Sequence, residues 1–586
     1  MIAISLRADA MRSVAAVLTA TGQYASMPVR ALGLRILADG IVVHDGSRAL
    51  RGTLFIVALS GVNRLMAWWS LNVRMRLREN TQLYLDAHLM DLTAGIPGLA
   101  HHELPAYLDR VELIRNERWY LANPFNPISW TFASIVGTLS VIVLLGGVRP
   151  ALALLPLFGL PAAIASGRAE KARVGLLDTQ AEDHRVLRHL KELAVEPGPA
   201  KEVRIFGLAD ELVDRHRRLF ARLEATRVRL AARNLTVVVL GWVLFAVAYA
   251  AAVVWTVRLA GRGQVTAGAV VLVLSLGAQI NAQLAELAWN VEWFVRTHRA
   301  VGRLVWFSEY AASARAAVTP ARPLGVPDRL QEGIRFRDVE FAYPGTDRAV
   351  LAGVDLLLPA GTTVAMVGEN GAGKTTLVKL LARFYSPTAG VILVDGVDLR
   401  DFPVEEWRAR IAAGFQDFAR FELVARESVG VGHVPHLDSE PHVAAALSRA
   451  VAAELPDSWP EGLATQLGRE FAGVELSVGQ WQKVALGRAM MRATLLLLVL
   501  DEPTASLDAP TEHALFERFA GAAREVAATT GGITILVSHR FSTVRMADLI
   551  LVMGGGRIVE SGSHEELMDA DGVYAQLYRL QAKAYR

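Results

Sequence analysis

Hydrophobic positions follow two different rhythms along the 586-residue chain. Before about residue 300 they form long, nearly unbroken runs. After about residue 330 they fall into short blocks separated by polar, helically periodic stretches. The run ISWTFASIVGTLSVIVLLGG at 128–147 is long enough for a membrane-crossing helix, which takes about 20 apolar residues. Residues 151–166 form a partner run after the short turn Val148-Arg149-Pro150. Residues 235–257 and 267–289 form another pair, and residues 52–71 a further span that contains Asn63 and Arg64. The first run, 14–43, is interrupted by Pro28, Arg30 and Arg35, and Pro28 is expected to kink it. The pattern thus predicts an α-helical membrane domain of about six spans, an even number that leaves both ends on one side.

The charged segments 74–126 and 168–233 are rich in Lys and Arg, whereas the other connections are short with few basic residues. The positive-inside rule puts the two charged segments and both termini in the cytoplasm of a multi-pass cell-membrane protein. Helical periodicity at 176–190 and 212–230 predicts that spanning helices continue as long cytoplasmic extensions. The alternative is a small cytoplasmic domain inserted between spans. The membrane region is expected to occupy 1–318. A linker at 319–333 opens with TPARPLGVP, three prolines in nine residues, which reads as extended chain. Residues 334–586 then alternate strand and helix patterns in the manner of an α/β domain.

Composition agrees with this division. Hydrophobic residues make up 52% of the chain, and the mean hydropathy of +0.31 is high for a soluble enzyme. A net charge of +3 is too small to argue for a nucleic-acid partner. Cysteine is absent, which excludes disulfides, thiolate metal sites and a cysteine nucleophile. No cleavable signal peptide is evident.

The apolar block VAMVG at 364–368 leads into Gly368-Glu369-Asn370-Gly371-Ala372-Gly373-Lys374-Thr375-Thr376 and then a helix. This is the GxxxxGK[ST] phosphate loop in its strand–loop–helix setting. Glycines let backbone N–H groups turn inward around phosphate oxygens, and the helix N-terminus adds partial positive charge. Lys374 is placed to reach the outer phosphates, Thr376 to bond the inner ones, and the Thr375 hydroxyl to ligate Mg²⁺. Further on, TLLLLVL at 494–500 reads as a central parallel strand buried on both faces, ending in Asp501-Glu502. The carboxyl end of such a strand is where doubly wound sheets bind ligands. Asp501 would hold Mg²⁺ through water, and Glu502 would polarise an attacking water.

A second loop entering a helix, Leu476-Ser477-Val478-Gly479-Gln480, also suits an anion but lies about a hundred residues beyond the phosphate loop. The order of phosphate loop, this loop, Asp501-Glu502, Ser506-Leu507-Asp508 and His539 resembles the nucleotide-binding domain of ATP-binding-cassette (ABC) proteins. Gln416 in AGFQDFARF is similar to that family's glutamine loop, and Tyr343 in FAYPG to its adenine-stacking aromatic. The resemblance implies an α/β P-loop NTPase of the ABC type that binds ATP and Mg²⁺. It also implies head-to-tail pairing of two cassettes, Ser477 and Gly479 of one copy contacting the γ-phosphate held by the other. By the same resemblance Gln416 touches Mg²⁺ or the attacking water, His539 contacts the γ-phosphate and positions Glu502, and Asp508 faces the partner's site. Val478 departs from the family's glycine, and a β-branched residue adopts positive φ poorly, so a site needing that conformation would lose affinity.

In exporters of this family, the tips of the cytoplasmic extensions dock on the cassettes. HELPAYLDR at 102–110 and AKEVRIFG at 200–207 are similar to such tips. In the last span Gln279, Gln283, Glu286 and Asn290 fall at i, i+4, i+7 and i+11, one face of a helix. Polar groups there look into protein or water rather than lipid, which predicts a pathway lining; interhelical contact at a dimer seam is the competing reading. Arg64 is expected to face the same space and meet Glu286. The resulting expectation is a half-transporter of the exporter type, one membrane domain fused to one cassette. It would work in lipid with a second half-transporter, identical or not, and export a small peptide or natural product, with a lipid or drug as the alternative cargo. A soluble ABC ATPase, or a regulatory one that moves no cargo, is the alternative of another class.

Overall fold

The protein is described from a computed structural model, which describes residues 2–123, 126–502, 509–538, 540 and 544–584. The chain separates into two compact units, Met1–Thr93 with Asp109–Tyr310, and Ala94–Leu108 with Ala311–Arg586. The second unit thus contains a piece of the N-terminal half, the segment around the first expected tip.

The first unit is built on long helices: α1 (Ile2–Val42), α2 (Gly46–Ala94), α3 (Asn126–Gly146), α4 (Leu160–Thr179), α5 (Ala209–Gly261) and α6 (Ala267–Val318). Among the described residues, four stretches are long and apolar enough to cross a membrane: Gly46–Ala94, Asn126–Gly146, Pro150–Arg173 and Ala209–Gly261. The apolar part of α6, Ala267–Ile280, is shorter, and α1 does not reach that level of apolarity among the described residues. Helices α2, α5 and α6 run 49, 53 and 52 residues. At 1.5 Å per residue, each is roughly 75–80 Å long, far more than a bilayer needs. Charged segments 74–94 and 209–233 are therefore continuations of apolar helices, the second as the periodicity at 212–230 predicts, whereas the periodic stretch 176–190 is divided between α4, which ends at Thr179, and a separate helix Ala181–Val195.

Two local expectations change. The dihedral break in α1 falls at Asp9 (φ −164°, ψ 93°), whereas Pro28 sits inside continuous helix. Asp9 Oδ1 accepts the N–H of Arg12, so the carboxylate caps the longer part of the helix and stabilises the break. The run 151–166 is not one α-helix: Pro150–Gly159 winds as a 3₁₀-helix containing Pro156, and α4 starts only at Leu160. Pro156 withholds an amide from the α-helical ladder, and Pro161 fits the first turn of α4, where no amide is needed.

Backbones approach closely where small residues allow it. A β-carbon on Gly241 of α5 would lie 2.7 Å from the backbone nitrogen of Ala162 in α4. Val141, Leu145, Leu152, Phe245, Leu272, Leu276 and Ile280 form the buried apolar centre of this unit.

The second unit carries two sheets. Strands β1 (Gly333–Ala342), β2 (Ala349–Pro359), β4 (Ala389–Val394) and β5 (Val397–Asp398) form an antiparallel sheet in the order β2-β1-β4-β5. The other sheet has the order β10-β9-β3-β8-β7-β6 and comprises β3 (Thr363–Gly368), β6 (Ile411–Gly414), β7 (Leu497–Asp501), β8 (Ile533–Val537), β9 (Leu549–Gly554) and β10 (Arg557–Gly562). Pairs β6–β7, β7–β8, β8–β3 and β3–β9 are parallel; only the edge strand β10 pairs antiparallel. Every residue of β7 and β8 is buried, which explains why these strands read as unbroken apolar runs. The carboxyl ends of β3 and β7, one strand apart across β8 and pointing the same way, bring the phosphate loop and Asp501 together.

Candidate nucleotide site and helical polar face

The phosphate loop leaves β3 at Gly368 and enters helix α7 (Lys374–Leu381). Gly368 and Gly373 hold φ of +149° and +104°, conformations that L side chains rarely adopt. A β-carbon on Gly368 would also lie 2.2 Å from the Met553 carbonyl oxygen. The loop opens on a cleft of about 790 Å³ lined by Tyr343, Asn370, Lys374, Thr375, Gln416 and Glu502, among others. The Lys374 ammonium donates to the carbonyls of Gly368 and Glu369, 2.8 and 3.0 Å away. Burial holds its pKa below the usual lysine range, against the opposing pull of Glu502 and Asp501.

Asp501 is 3% exposed. Its Oδ2 accepts the Thr375 hydroxyl at 3.2 Å, while its Oδ1 is buried with no hydrogen-bond partner. Burial pushes this carboxyl above the usual carboxylate range, and Glu502 and Asp417 add to the rise. An orphaned hard oxygen beside a hydroxyl, with Gln416 on the same cleft, fits Mg²⁺, which prefers oxygen donors and retains several waters. Glu502 follows at φ +48°, a left-handed conformation for a non-glycine residue. Its N–H donates to Val537 O at 2.9 Å, and Gln482 Nε2 lies 3.5 Å from its carbonyl oxygen. His539 and Asp508 lie outside the described residues.

Tyr343 borders the cleft, its hydroxyl 3.0 Å from Thr376 Oγ1. The sequence patterns missed six contributors to this wall: Arg348, Ala349, Val350, Val537 and the Gly555-Gly556 turn between β9 and β10. The turn's glycines, both at positive φ, were the available signal; Arg348 had none.

Ser477 begins helix α8 (Val478–Ala489) as its N-cap, in a capping box with Gln480. Val478 is the first helical residue and is not among the positive-φ residues, so its β-branch imposes no strain. This removes the conformational objection raised by its departure from glycine. Ser477 and Val478 are exposed, and residues 477–480 do not line the cleft of their own chain. A second cavity of about 630 Å³ borders Gln416 and is lined by Leu99, Phe384, Phe415, Phe418 and Phe421 among others. Leu99 belongs to the first tip: its N–H donates to Phe384 O at 3.3 Å, and Arg408 Nη2 donates to Pro97 O at 2.6 Å. The tip's helical turn is Ala100–Glu103, followed by Pro105–Asn116, with the anchoring contacts just N-terminal to the expected 102–110.

In α6, Gln283 and Asn290 are buried, with Gln283 Nε2 and Asn290 Nδ2 lacking partners. Gln283 Oε1 lies 3.4 Å from Thr138 Oγ1 of α3, and Gln279 Nε2 donates to Met27 O of α1. Glu286 accepts the hydroxyl of Tyr24 in α1. The expected partnership with Arg64 is not found among the described residues: Arg64 is exposed on α2, and a tyrosine hydroxyl satisfies the carboxylate instead. The polar face thus packs against α1 and α3.

The model of the ABC transporter family matches residues 351–505. The ATP-dependent lipid A-core flippase of Chromohalobacter salexigens is 41% identical over 256 residues, 44% of this chain and 42% of the relative. The protein of that name from Bordetella avium is 34% identical over 365 residues, covering 62% and 58%. The matched stretches thus span about half the length of these relatives. A solved structure described as a bacterial Atm1-family ABC exporter with ATP bound superposes with a TM-score of 0.76 at 24% identity, over 98% of this chain and 99% of that one. Residues 351–505 therefore match the ABC transporter family, and the chain as a whole shares the fold of that solved exporter, a long-helix region and an α/β cassette in one polypeptide.

Proposed function

We propose that this chain is a half-transporter that binds ATP and Mg²⁺ between two copies, hydrolyses the ATP, and uses the cycle to move an amphipathic cargo out across the membrane. The observation that carries the reading is the separation of the two anion loops. The cleft holding Lys374 and Asp501 has no contribution from the exposed, capped loop at Ser477, so each copy has half of a site. Under this reading, Ser477 and Gly479 of one copy close over the γ-phosphate held by the other, and a bound triphosphate draws two cassettes together. Lys374 and the loop amides bind the phosphates, and Tyr343 stacks on the adenine. Thr375, Asp501 and Gln416 would hold Mg²⁺, which neutralises charge on the β- and γ-phosphates. Glu502 orients and deprotonates the attacking water; His539 and Asp508 complete the site by resemblance.

For the cargo, the names of the flippase relatives favour a lipid over the small peptide expected from the polar face. Apolar helices suit the chains of such a molecule. The six-span membrane topology, cytoplasmic termini and homodimer belong to the same proposal. Glu502→Gln should cut steady-state ATP hydrolysis at least a hundredfold, on the order expected for loss of general-base catalysis, while ATP binding persists. Hydrolysis at the unaltered rate would overturn the assignment. Cargo class is read by ATP-dependent flipping of labelled lipid in proteoliposomes, beside uptake of labelled peptide. Release of the chain from membranes by carbonate would instead favour the soluble reading.

A further inference from the structure

Lys379 lies on α7, one turn beyond the phosphate-binding threonines, and the proposed chemistry gives it no task. It nonetheless touches two parts of the unit with different roles. Its ammonium lies 5.1 Å from the ring centroid of Tyr343 and 5.8 Å from that of Tyr385. It also lies 3.8 Å from Glu103 Oε1, at the end of the first tip's helical turn. Phe341, Tyr343 and Tyr385 pack edge-on or tilted with ring centroids 5.0–5.4 Å apart, one contiguous aromatic group. Burial and Glu103 together hold the Tyr385 hydroxyl above the usual phenol range. Tyr343 is further tied to α7 through its hydroxyl on Thr376.

We infer that Lys379 is a positioning residue that links the aromatic platform for the purine to the first tip. Through it, the arrival of a base, as distinct from a triphosphate, is felt at Glu103. This rests on the proposed ATP site. A cation over one face of Tyr343 fixes the ring plane and leaves the opposite face for the base. A purine stacking there changes the charge environment of the ring, and the ammonium shared between the ring and Glu103 takes up the change. An exposed ion pair adds little stability by itself, so its value here is in transmitting position. Triphosphate reaches Lys379 only indirectly, through Thr376 and the backbone of α7, whereas a base on Tyr343 meets the ring that the ammonium itself covers.

The absence of cysteine allows a direct test in the full-length chain in nanodiscs. His102→Cys, at an exposed position beside Glu103, carries an environment-sensitive fluorophore. The Glu502→Gln background prevents turnover, and binding is followed separately with a labelled ATP analogue. The expected result is a signal with Mg-ATP at least fivefold larger than with Mg-tripolyphosphate. Lys379→Met should abolish that difference and weaken ATP binding about threefold, the size of a lost cation–π contact. Lys379→Arg should restore both. Glu103→Gln should abolish the difference in signal without weakening ATP binding, which a merely structural loss would not do. Equal signals from ATP and tripolyphosphate in the parent, or an unchanged difference in Lys379→Met, would overturn the inference. Failure of the parent to bind ATP at all would instead overturn the proposed nucleotide site.

Discussion

At the scale of single residues, the nucleotide site depends on groups held in conformations or surroundings they would not choose alone. Glu502 at φ +48° carries a backbone cost of roughly 1–2 kcal/mol, borne by the surrounding sheet through its bond to Val537. Ser477 has a structural part as well as its proposed one: losing the cap in Ser477→Ala should cost about 1 kcal/mol, read as a lower thermal midpoint of the isolated full chain without nucleotide. His101 in the first tip is 2% exposed, and both ring nitrogens lack partners. Burial, aided by neighbouring His102, pushes its pKa down to about 4. An unfolded histidine titrates near 6.5, so the unfolded chain takes up the proton first as pH falls. The contribution of a neutral His101 is complete above about pH 6.5 and lost as pH falls to about 4. Thermal midpoints compared at pH 7 and 5 should therefore differ less in His101→Phe than in the parent; an equal difference would remove His101 as the cause.

Among elements, the contrasts come from what each helix or strand packs against. Strands β7 and β8 were legible because burial on both faces leaves nothing but apolar residues. The 3₁₀ segment Pro150–Gly159 was not, because hydropathy counts apolar residues and says little about which hydrogen-bond ladder they use. Nor did any pattern mark the role of Asp39. This carboxylate is 5% exposed and accepts the N–H of Gly268 at 2.7 Å, capping α6 from the end of α1, with Arg35 and Arg48 at 3.9 and 3.7 Å. A β-carbon on Gly268 would lie 2.5 Å from Asp39 Oδ1 and 2.4 Å from Arg35 O, so the contact requires glycine. Asp39→Ala should lower stability by about 1–2 kcal/mol through loss of the cap and its charge at a helix N-terminus. Chemical unfolding in detergent, against the milder Asp39→Asn, measures it; equal stability of parent and Asp39→Ala would show that the cap contributes nothing.

For the whole molecule, the chain contains surfaces that a single copy leaves open. The second tip, Ala200–Ile205, has no buried residue, and Ile205 and Phe206 are 80% and 68% exposed. Two adjacent large apolar side chains on a charged helical turn suit a protein partner. Under the proposed dimer, that partner is a second copy. Replacing both by serine should leave basal ATP hydrolysis within about twofold of the parent, as expected away from the active site, and abolish its stimulation by cargo. Retained stimulation would place the transmission elsewhere. The composite site makes a further demand: hydrolysis per chain should fall steeply on dilution in detergent, as expected when the active form is a dimer.

Sequence alone determined the components whose physics is local. An apolar run of membrane length, a glycine loop between strand and helix, an acid ending a buried strand, and a serine opening a helix each carry their meaning in a few consecutive residues. The amide-bearing face of α6 was legible too, since helical spacing is a local rule. Tertiary structure decided the partnerships: Tyr24 rather than Arg64 for Glu286, the capping of α6 by Asp39, and the placement of Lys379 between Tyr343 and Glu103. In each case the partners are tens to hundreds of residues apart. Which hydroxyl or charge reaches a carboxylate then depends on helix rotation and side-chain direction, and no spacing rule along the chain encodes these.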